Sequence, residues 1–182
     1  MSLPTPTIET ARLRLRPVRP DDDEDLWALH GDPEVLRFWD EPVWEAPSRA
    51  DGFVEGCRRI EREGTGARVA VEDRDGTFLG WVALHRWNPA FRTMSMGFVY
   101  GRHAWGRGYA TEAGAALLDW AYDALPVNRV QAEADTRNVA CRRVLEKLGF
   151  TLEGTLREDC VVDGVVSDSW VFGLLRSDRE GA

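Results

Sequence analysis

The stretch that decides the fold is Gly101-Arg102-His103-Ala104-Trp105-Gly106-Arg107-Gly108-Tyr109-Ala110. Before it, residues 93–100 alternate in the manner of a strand. After it, residues 110–124 carry Ala110, Ala113, Gly114, Leu117 and Ala121 on one helical face. A glycine-rich turn between a strand and a helix N-terminus is an anion site. Backbone N–H groups converge there, and the helix dipole favours negative charge. Glycine lets the backbone approach a phosphate oxygen closely, and Arg102 and Arg107 add positive charge.

Three phosphate ligands compete for such a loop. A nucleoside triphosphate needs GxxxxGK[ST]. Gly101 and Gly106 have that spacing, but Arg107 replaces the Lys and Gly108 replaces the magnesium-binding hydroxyl. A dinucleotide needs GxGxxG/A. Gly106 and Gly108 fit, Thr111 stands third, and Asp135 ends the next strand. That loop, however, should open a parallel sheet, whereas this one lies mid-chain. The third ligand is an acyl-coenzyme A.

Outward from the loop, the chain reads as one mixed α+β domain over residues 1–182. Residues 12–16 alternate as a first strand, and residues 21–30 and 48–63 read as helices, the second capped by Ser48. Residues 33–38 read as a further helical turn. The acidic run at residues 21–25 reads as charge complementing a helix N-terminus. Residues 38–44 carry three aromatics, a proline and two acids without a period, hence a loop. Its Trp39 and Trp44 are either a binding wall or a plug at the core edge. Residues 69–72, 78–86 and 93–100 form an antiparallel meander by their turns. A strand at 129–134, a helix at 138–148 stopped by Gly149, and strands at 150–162 and 167–175 follow, joined at Asp163-Gly164. The tail from Arg176 reads as frayed.

Composition narrows the function. The chain has 182 residues, 43% hydrophobic and 30% charged, an ordinary globular profile. No apolar run approaches ~20 residues, so no membrane span is expected. No basic-then-apolar leader opens the chain, and the expected compartment is the cytoplasm. A net charge of −8 argues against nucleic acid and favours a cationic partner. Cys57, Cys141 and Cys160 have no CxxC spacing, and His30, His85 and His103 are scattered. Neither a disulfide framework nor a metal site is expected.

His103-Ala-Trp-Gly106-Arg-Gly108 resembles the Gln/Arg-x-x-Gly-x-Gly/Ala motif of the GNAT acetyltransferase superfamily. The run from Trp105 to Ala113 is similar to its ribosomal-protein N-acetyltransferase branch (RimJ/RimL type). Asn138-Val-Ala-Cys141-Arg-Arg-Val-Leu-Glu146-Lys147-Leu-Gly149-Phe150 resembles that branch's Asn-x-x-Ser…Glu-Lys-x-Gly-Phe. Thr10-Ala-Arg12-Leu-Arg-Leu-Arg16 is similar to its opening strand. The likeness spans nearly the whole chain in order. It departs at His103 for Gln/Arg and Cys141 for Ser.

The resemblance implies a three-layer α/β/α fold with a mostly antiparallel sheet of about seven strands. It implies acetyl-CoA as donor and a primary amine as acceptor, on a protein N-terminus or a small molecule, attacking directly in a ternary complex. It implies that the diphosphate sits on His103, Trp105, Gly106, Arg107, Gly108, Tyr109 and Ala110. The pantetheine arm would lie along Phe98 and Val99, opened by a bulge at Met96-Gly97, with Asn138 holding it. Asn138 equally reads as a helix cap. Cys141 would protonate the departing thiolate, since a thiol pKa of about 8.5 suits that transfer; it equally reads as a small buried hydrophobe. For the base, the carboxylates weighed are Glu158, Asp159, Asp168, Asp40, Glu41 and Glu112, with Glu158 favoured. Strand alternation puts Glu158 and Cys160 on one face, and Asp168 reads as a strand bridge through Arg157. Trp39 and Trp44 would wall the acceptor site, and the family permits a homodimer. Two other functions remain: a CoA-binding sensor without turnover, and a dinucleotide enzyme.

Overall fold

The computed structural model describes residues 3–162 and 164–180. Its strands are β1 (Ile8–Glu9), β2 (Leu13–Pro17), β3 (Ala67–Asp73), β4 (Phe78–Asn88), β5 (Thr93–Tyr100), β6 (Arg129–Asp135), β7 (Thr151–Val162) and β8 (Val165–Leu175). Its helices are α1 (Asp23–His30), α2 (Arg49–Glu63), α3 (Tyr109–Ala124), α4 (Val139–Lys147) and α5 (Arg176–Glu180). The strands make one 8-stranded sheet ordered β1-β2-β3-β4-β5-β6-β8-β7. The short β1 raises the count above the seven expected.

Alternation along the strands sends two sets of side chains to two helical layers. Met94, Met96, Val130, Ala132, Phe172 and Leu174 pack with Ala113, Leu117, Leu118 and Leu145 of α3 and α4. Ala70, Trp81, Ala83 and Val99 pack with Leu26, Leu29, Val54 and Cys57 of α1 and α2. Each fully buried aliphatic side chain contributes roughly 1.5–3 kcal/mol. The second cluster takes strand residues from β3, β4 and β5 but none from β6 or β8. The same face of β6 and β8 therefore lies outside that helical layer.

Several local expectations are corrected. Residues 33–38 form hydrogen-bonded turns rather than a helix. Ser48 precedes α2 but makes no side-chain cap bond. The tail is helical at α5. Arg176 anchors it by donating to the carbonyls of Val127 (2.8 Å) and Tyr122 (2.9 Å). The β7–β8 turn includes Asp163, which lies outside the described residues; Gly164 takes φ 75°. The acidic run is more than dipole charge, because Asp22 is buried. Arg16 donates to it twice, at 2.9 and 2.7 Å, and pairs with Glu72 as well.

Removing one member of a buried ion cluster strands the others. Asp22→Ala should cost about 3–5 kcal/mol and lower Tm by roughly 6–20 °C in thermal melts followed by circular dichroism. A shift within 2 °C of the parent would show that Arg16 reaches water there.

Candidate functional site

β5 and β6 run parallel, but they pair only at Thr93↔Arg129, Met94↔Val130 and Ser95↔Gln131. Both strands continue, β5 to Tyr100 and β6 to Asp135, so beyond Ser95 the sheet opens into a cleft. Met96, Gly97 and Phe98 line one side of it, and Ala132 and Glu133 the other. Cys141 and Leu145 of α4 and Trp39 from the 38–44 loop complete the lining. The bulge expected at Met96-Gly97 is absent, since β4–β5 pairing is continuous from Ser95 to Tyr100. The extra residue lies instead on β4, between His85 and Asn88, where Arg86 takes φ 56°. Phe98 faces the cleft, whereas the Val99 side chain is buried in the α1/α2 core. Gly97 leaves room above the strand: a Cβ there would stand 3.8 Å from His85 Nε2 and 4.0 Å from Trp39.

The glycine loop follows β5. Gly106 and Gly108 take φ 71° and 79°, the left-handed region that costs a side chain roughly 1–2 kcal/mol. The first intrahelical bond runs from Glu112 N–H to Gly108 O at 3.0 Å. The N–H groups of Gly108, Tyr109, Ala110 and Thr111 thus precede the helical ladder, and Gly108 brings no side-chain cap. Four free donors at the positive end of a 16-residue helix fit a diphosphate. Trp105 is half exposed at the loop and donates Nε1–H to the Tyr100 carbonyl at 2.7 Å. The Arg107 carbonyl accepts from Arg12 at 2.9 Å. His103 departs from expectation: its Nε2 lies 3.0 Å from the Phe78 carbonyl. With Arg102, which donates to Asp32 at 2.8 Å, it borders a hollow of about 300 Å³ beside α1.

Asn138 caps α4, its Oδ1 accepting from Cys141 N–H at 3.0 Å. Burial pushes the Cys141 thiol up to about 12. It is therefore an S–H at any working pH, and the thiolate that a covalent acyl route needs is suppressed. Delivering that proton to a thiolate with an ordinary pKa of about 8.5 is uphill. Cys141 packs the cleft wall and is a poor acid.

Glu158 does not line the cleft. It lies on β7, the outer strand beyond β8, in a bulge between the pairs Leu156↔Ser169 and Cys160↔Ser167. Its φ is 53°, so simple alternation fails there. Its N–H donates to Asp168 Oδ1 at 2.8 Å, which makes Asp168 a brace of that bulge rather than a partner of Arg157. Cys160 Sγ lies 3.1 Å from Ser167 Oγ, which donates to Asp135 at 2.8 Å. Asp135 is lowered to about 2, first by hydrogen bonding from Arg137, so it is a weak base. Glu112 is held by Thr10 and Arg12.

The carboxylate at the cleft is Glu133, which the sequence reading passed over. It is exposed, and Gln131 donates to it at 2.8 Å. The signal was present: in β6 the even residues Val130, Ala132 and Ala134 are apolar, so Gln131, Glu133 and Asp135 share the opposite face. The two loop tryptophans divide between their readings. Trp39 is half-buried at the cleft. Trp44 is 6% exposed and stacks on His30 at 4.3 Å, so it is core. His30 is pushed down to about 4 by burial, which keeps its Nε2 free to accept from Trp81 Nε1 at 3.0 Å. Among the described residues, no helix is long and apolar enough to cross a membrane.

Residues 12–151 match the Acetyltransferase (GNAT) domain. The chain is 32% identical to the putative ribosomal N-acetyltransferase YdaF of Bacillus subtilis, over 75% of this chain and 76% of that one. It is 26% identical to the spermidine N(1)-acetyltransferase of Escherichia coli, over 84% and 80%. Among solved structures, Mycobacterium smegmatis RimJ in complex with CoA-disulfide superposes with a TM-score of 0.83 at 25% identity, over 91% and 83%.

The loop geometry sets a test. Gly108→Trp places a side chain over the four donors and forces a left-handed tryptophan, a strain of roughly 1–2 kcal/mol. Calorimetry should show CoA binding lost while Tm falls by only roughly 2–8 °C. Wild-type CoA affinity in that variant would refute the loop as the diphosphate seat.

Proposed function

This chain belongs to the GNAT acetyltransferase family and transfers an acetyl group from acetyl-CoA to an amine; we propose that its acceptor is a cationic primary amine, deprotonated at Glu133. The observation that carries this reading is the position of Glu133, which lines the cleft together with Trp39. Acids surround the approach: Asp40 and Glu41 are exposed on the loop that carries Trp39, and the net charge is −8. An acidic rim concentrates cations, and an indole face attracts them. Arg137 of the β6–α4 connection is neutralised by Asp135 at 2.6 Å and lies over Phe38. Relatives named for a ribosomal protein and for spermidine both point to positively charged acceptors.

Bound acetyl-CoA supplies a thioester-activated acetyl group. The chain does the rest by placement. The Gly106–Ala110 loop and the start of α3 hold the diphosphate. The unpaired backbone edge of β5 beyond Ser95 takes the pantetheine arm, and Asn138 at the start of α4 holds it. Trp39 orients the ammonium, and the Glu133 carboxylate accepts one of its protons, leaving a nitrogen lone pair facing the thioester. The amine nitrogen then gains the acetyl carbon as the carbon–sulfur bond breaks, and CoA leaves as a thiolate that takes up the second proton released by the amine. Phe98, Leu145 and Cys141 keep that end of the cleft apolar, which strengthens the charge interactions made inside it.

Thiol release measured with polyamines, basic peptide N-termini and neutral amines tests the acceptor class. kcat/KM should be highest for the cationic set; a preference for neutral or anionic amines would overturn it. Glu133→Gln should lower kcat by about 10²–10⁴-fold with CoA affinity unchanged by calorimetry. A loss below threefold would move the base elsewhere.

A further inference from the structure

A brace 95 residues away in sequence reaches the diphosphate loop. Arg12 stands in the turn between β1 and β2. Its Nη1 donates to the Arg107 carbonyl at 2.9 Å, and its Nε donates to Glu112 Oε2 at 2.7 Å. Its own backbone N–H donates to Glu112 Oε1 at 3.0 Å, and Thr10 Oγ1 donates to the same oxygen at 2.7 Å. The guanidinium lies 4.8 Å over the Tyr109 ring. Its Nη2 lies 3.5 Å from where a Gly108 Cβ would stand.

This geometry has a directional consequence. A trans peptide points its C=O and its N–H in opposite directions. Tying the Arg107 carbonyl to Arg12 therefore aims the Gly108 N–H away from Arg12, towards the open side of the loop. The positive φ of Gly108 lets the peptide plane take that orientation. Glu112 in turn fixes the guanidinium, and its carboxyl is held below the usual range. Burial opposes that shift, but hydrogen bonds from Thr10 and Arg12 outweigh it. An acid in the first helical turn is explained by the dipole alone, whereas an acid that accepts three bonds from the β1–β2 turn is not. Nor does stability account for the pair. The Arg12 side chain is 50% exposed, and exposed ion pairs contribute little to folding.

We propose that Arg12, held by Glu112, is a positioning residue that presets the Arg107–Gly108 peptide for the diphosphate of acetyl-CoA. It rests on acetyl-CoA as the donor. The role does not involve the acetyl group or the acceptor, so it should appear in donor binding and not in turnover.

Arg12→Ala, Arg12→Lys and Glu112→Gln test it, with CoA affinity by calorimetry, KM and kcat for acetyl-CoA, and Tm. S-acetylpantetheine, a thioester donor without the diphosphate, is the comparison. Arg12→Ala should weaken CoA binding by roughly 10- to 100-fold, the worth of lost charge-assisted bonds. KM for acetyl-CoA should rise with kcat at saturation within about twofold, and Tm should stay within about 4 °C. The wild-type preference for acetyl-CoA over S-acetylpantetheine in kcat/KM should shrink by roughly the same factor as the affinity. Arg12→Lys should recover little, because an ammonium cannot bond the carbonyl and the carboxylate in one plane. Glu112→Gln should fall between. CoA binding by Arg12→Ala within threefold of wild type overturns the proposal, as does an equal loss with both donors. A wild-type chain that binds no CoA would instead overturn the donor itself, and this proposal with it.

Discussion

Everything at the site depends on where β5 and β6 stop pairing. Three residue pairs hold them together, and beyond Ser95↔Gln131 they part. A parallel pair that ran its full length would leave no entry for a ligand and no unpaired backbone to receive one. The parting is held open by what fills it. Cys141 and Leu145 of α4 press from one face, and Trp39 leans over Gly97 from the other. The close approach of α3 supports the same wall: a Cβ on Gly114 would meet Met96 and Leu148 at 2.9 Å. The cleft is therefore a packed feature of the sheet, with a floor and walls of defined chemistry.

The two ends of the cleft are built by different physics. At the proposed diphosphate end the candidate groups are backbone amides, and side chains hold them in place. Glycines permit the conformation, Trp105 ties the loop to Tyr100, and Arg12 holds the Arg107 carbonyl. At the acceptor end the backbone is a surface and the side chains carry the chemistry. There the odd face of β6 is polar, and the α1/α2 layer leaves it uncovered. An amine needs water nearby to arrive charged and a carboxylate to lose its proton to, and an uncovered polar strand beside an apolar slot provides both.

This division explains what was legible in the sequence. Gly106 and Gly108 both take positive φ, which glycine alone adopts freely, so the loop and its helix were readable from residue type and spacing. The strand and helix periods placed both layers. Two of the misreadings share a cause, namely irregularity at residues that are not glycine. Arg86 and Glu158 take positive φ as ordinary residues, and nothing in their identity marks the bulges they make. One moved the expected bulge from β5 to β4. The other carried Glu158 out of register on an edge strand. The contacts between Arg12 and Glu112 were equally hidden, because each residue has a sufficient local explanation, one in a strand and one at a helix start. Trp44 was ambiguous as a type, and only its stacking on His30 decides it.

The placement of the carboxylates then decides which can act as a base. A base must touch the cleft and be free of a cation. Glu112 is bound by Arg12 and Thr10. Asp135 is clamped by Arg137 and Ser167 and lowered to about 2. Glu158 stands on the far side of β8, with its backbone spent on the bulge. Glu133 alone among these lines the cleft, and the neutral amide of Gln131 donates to it. The same strand thus holds two acids two residues apart with opposite duties. Asp135 fixes Arg137 and Ser167 at the strand's end, and Glu133, left without a cation, is the carboxylate proposed as the base.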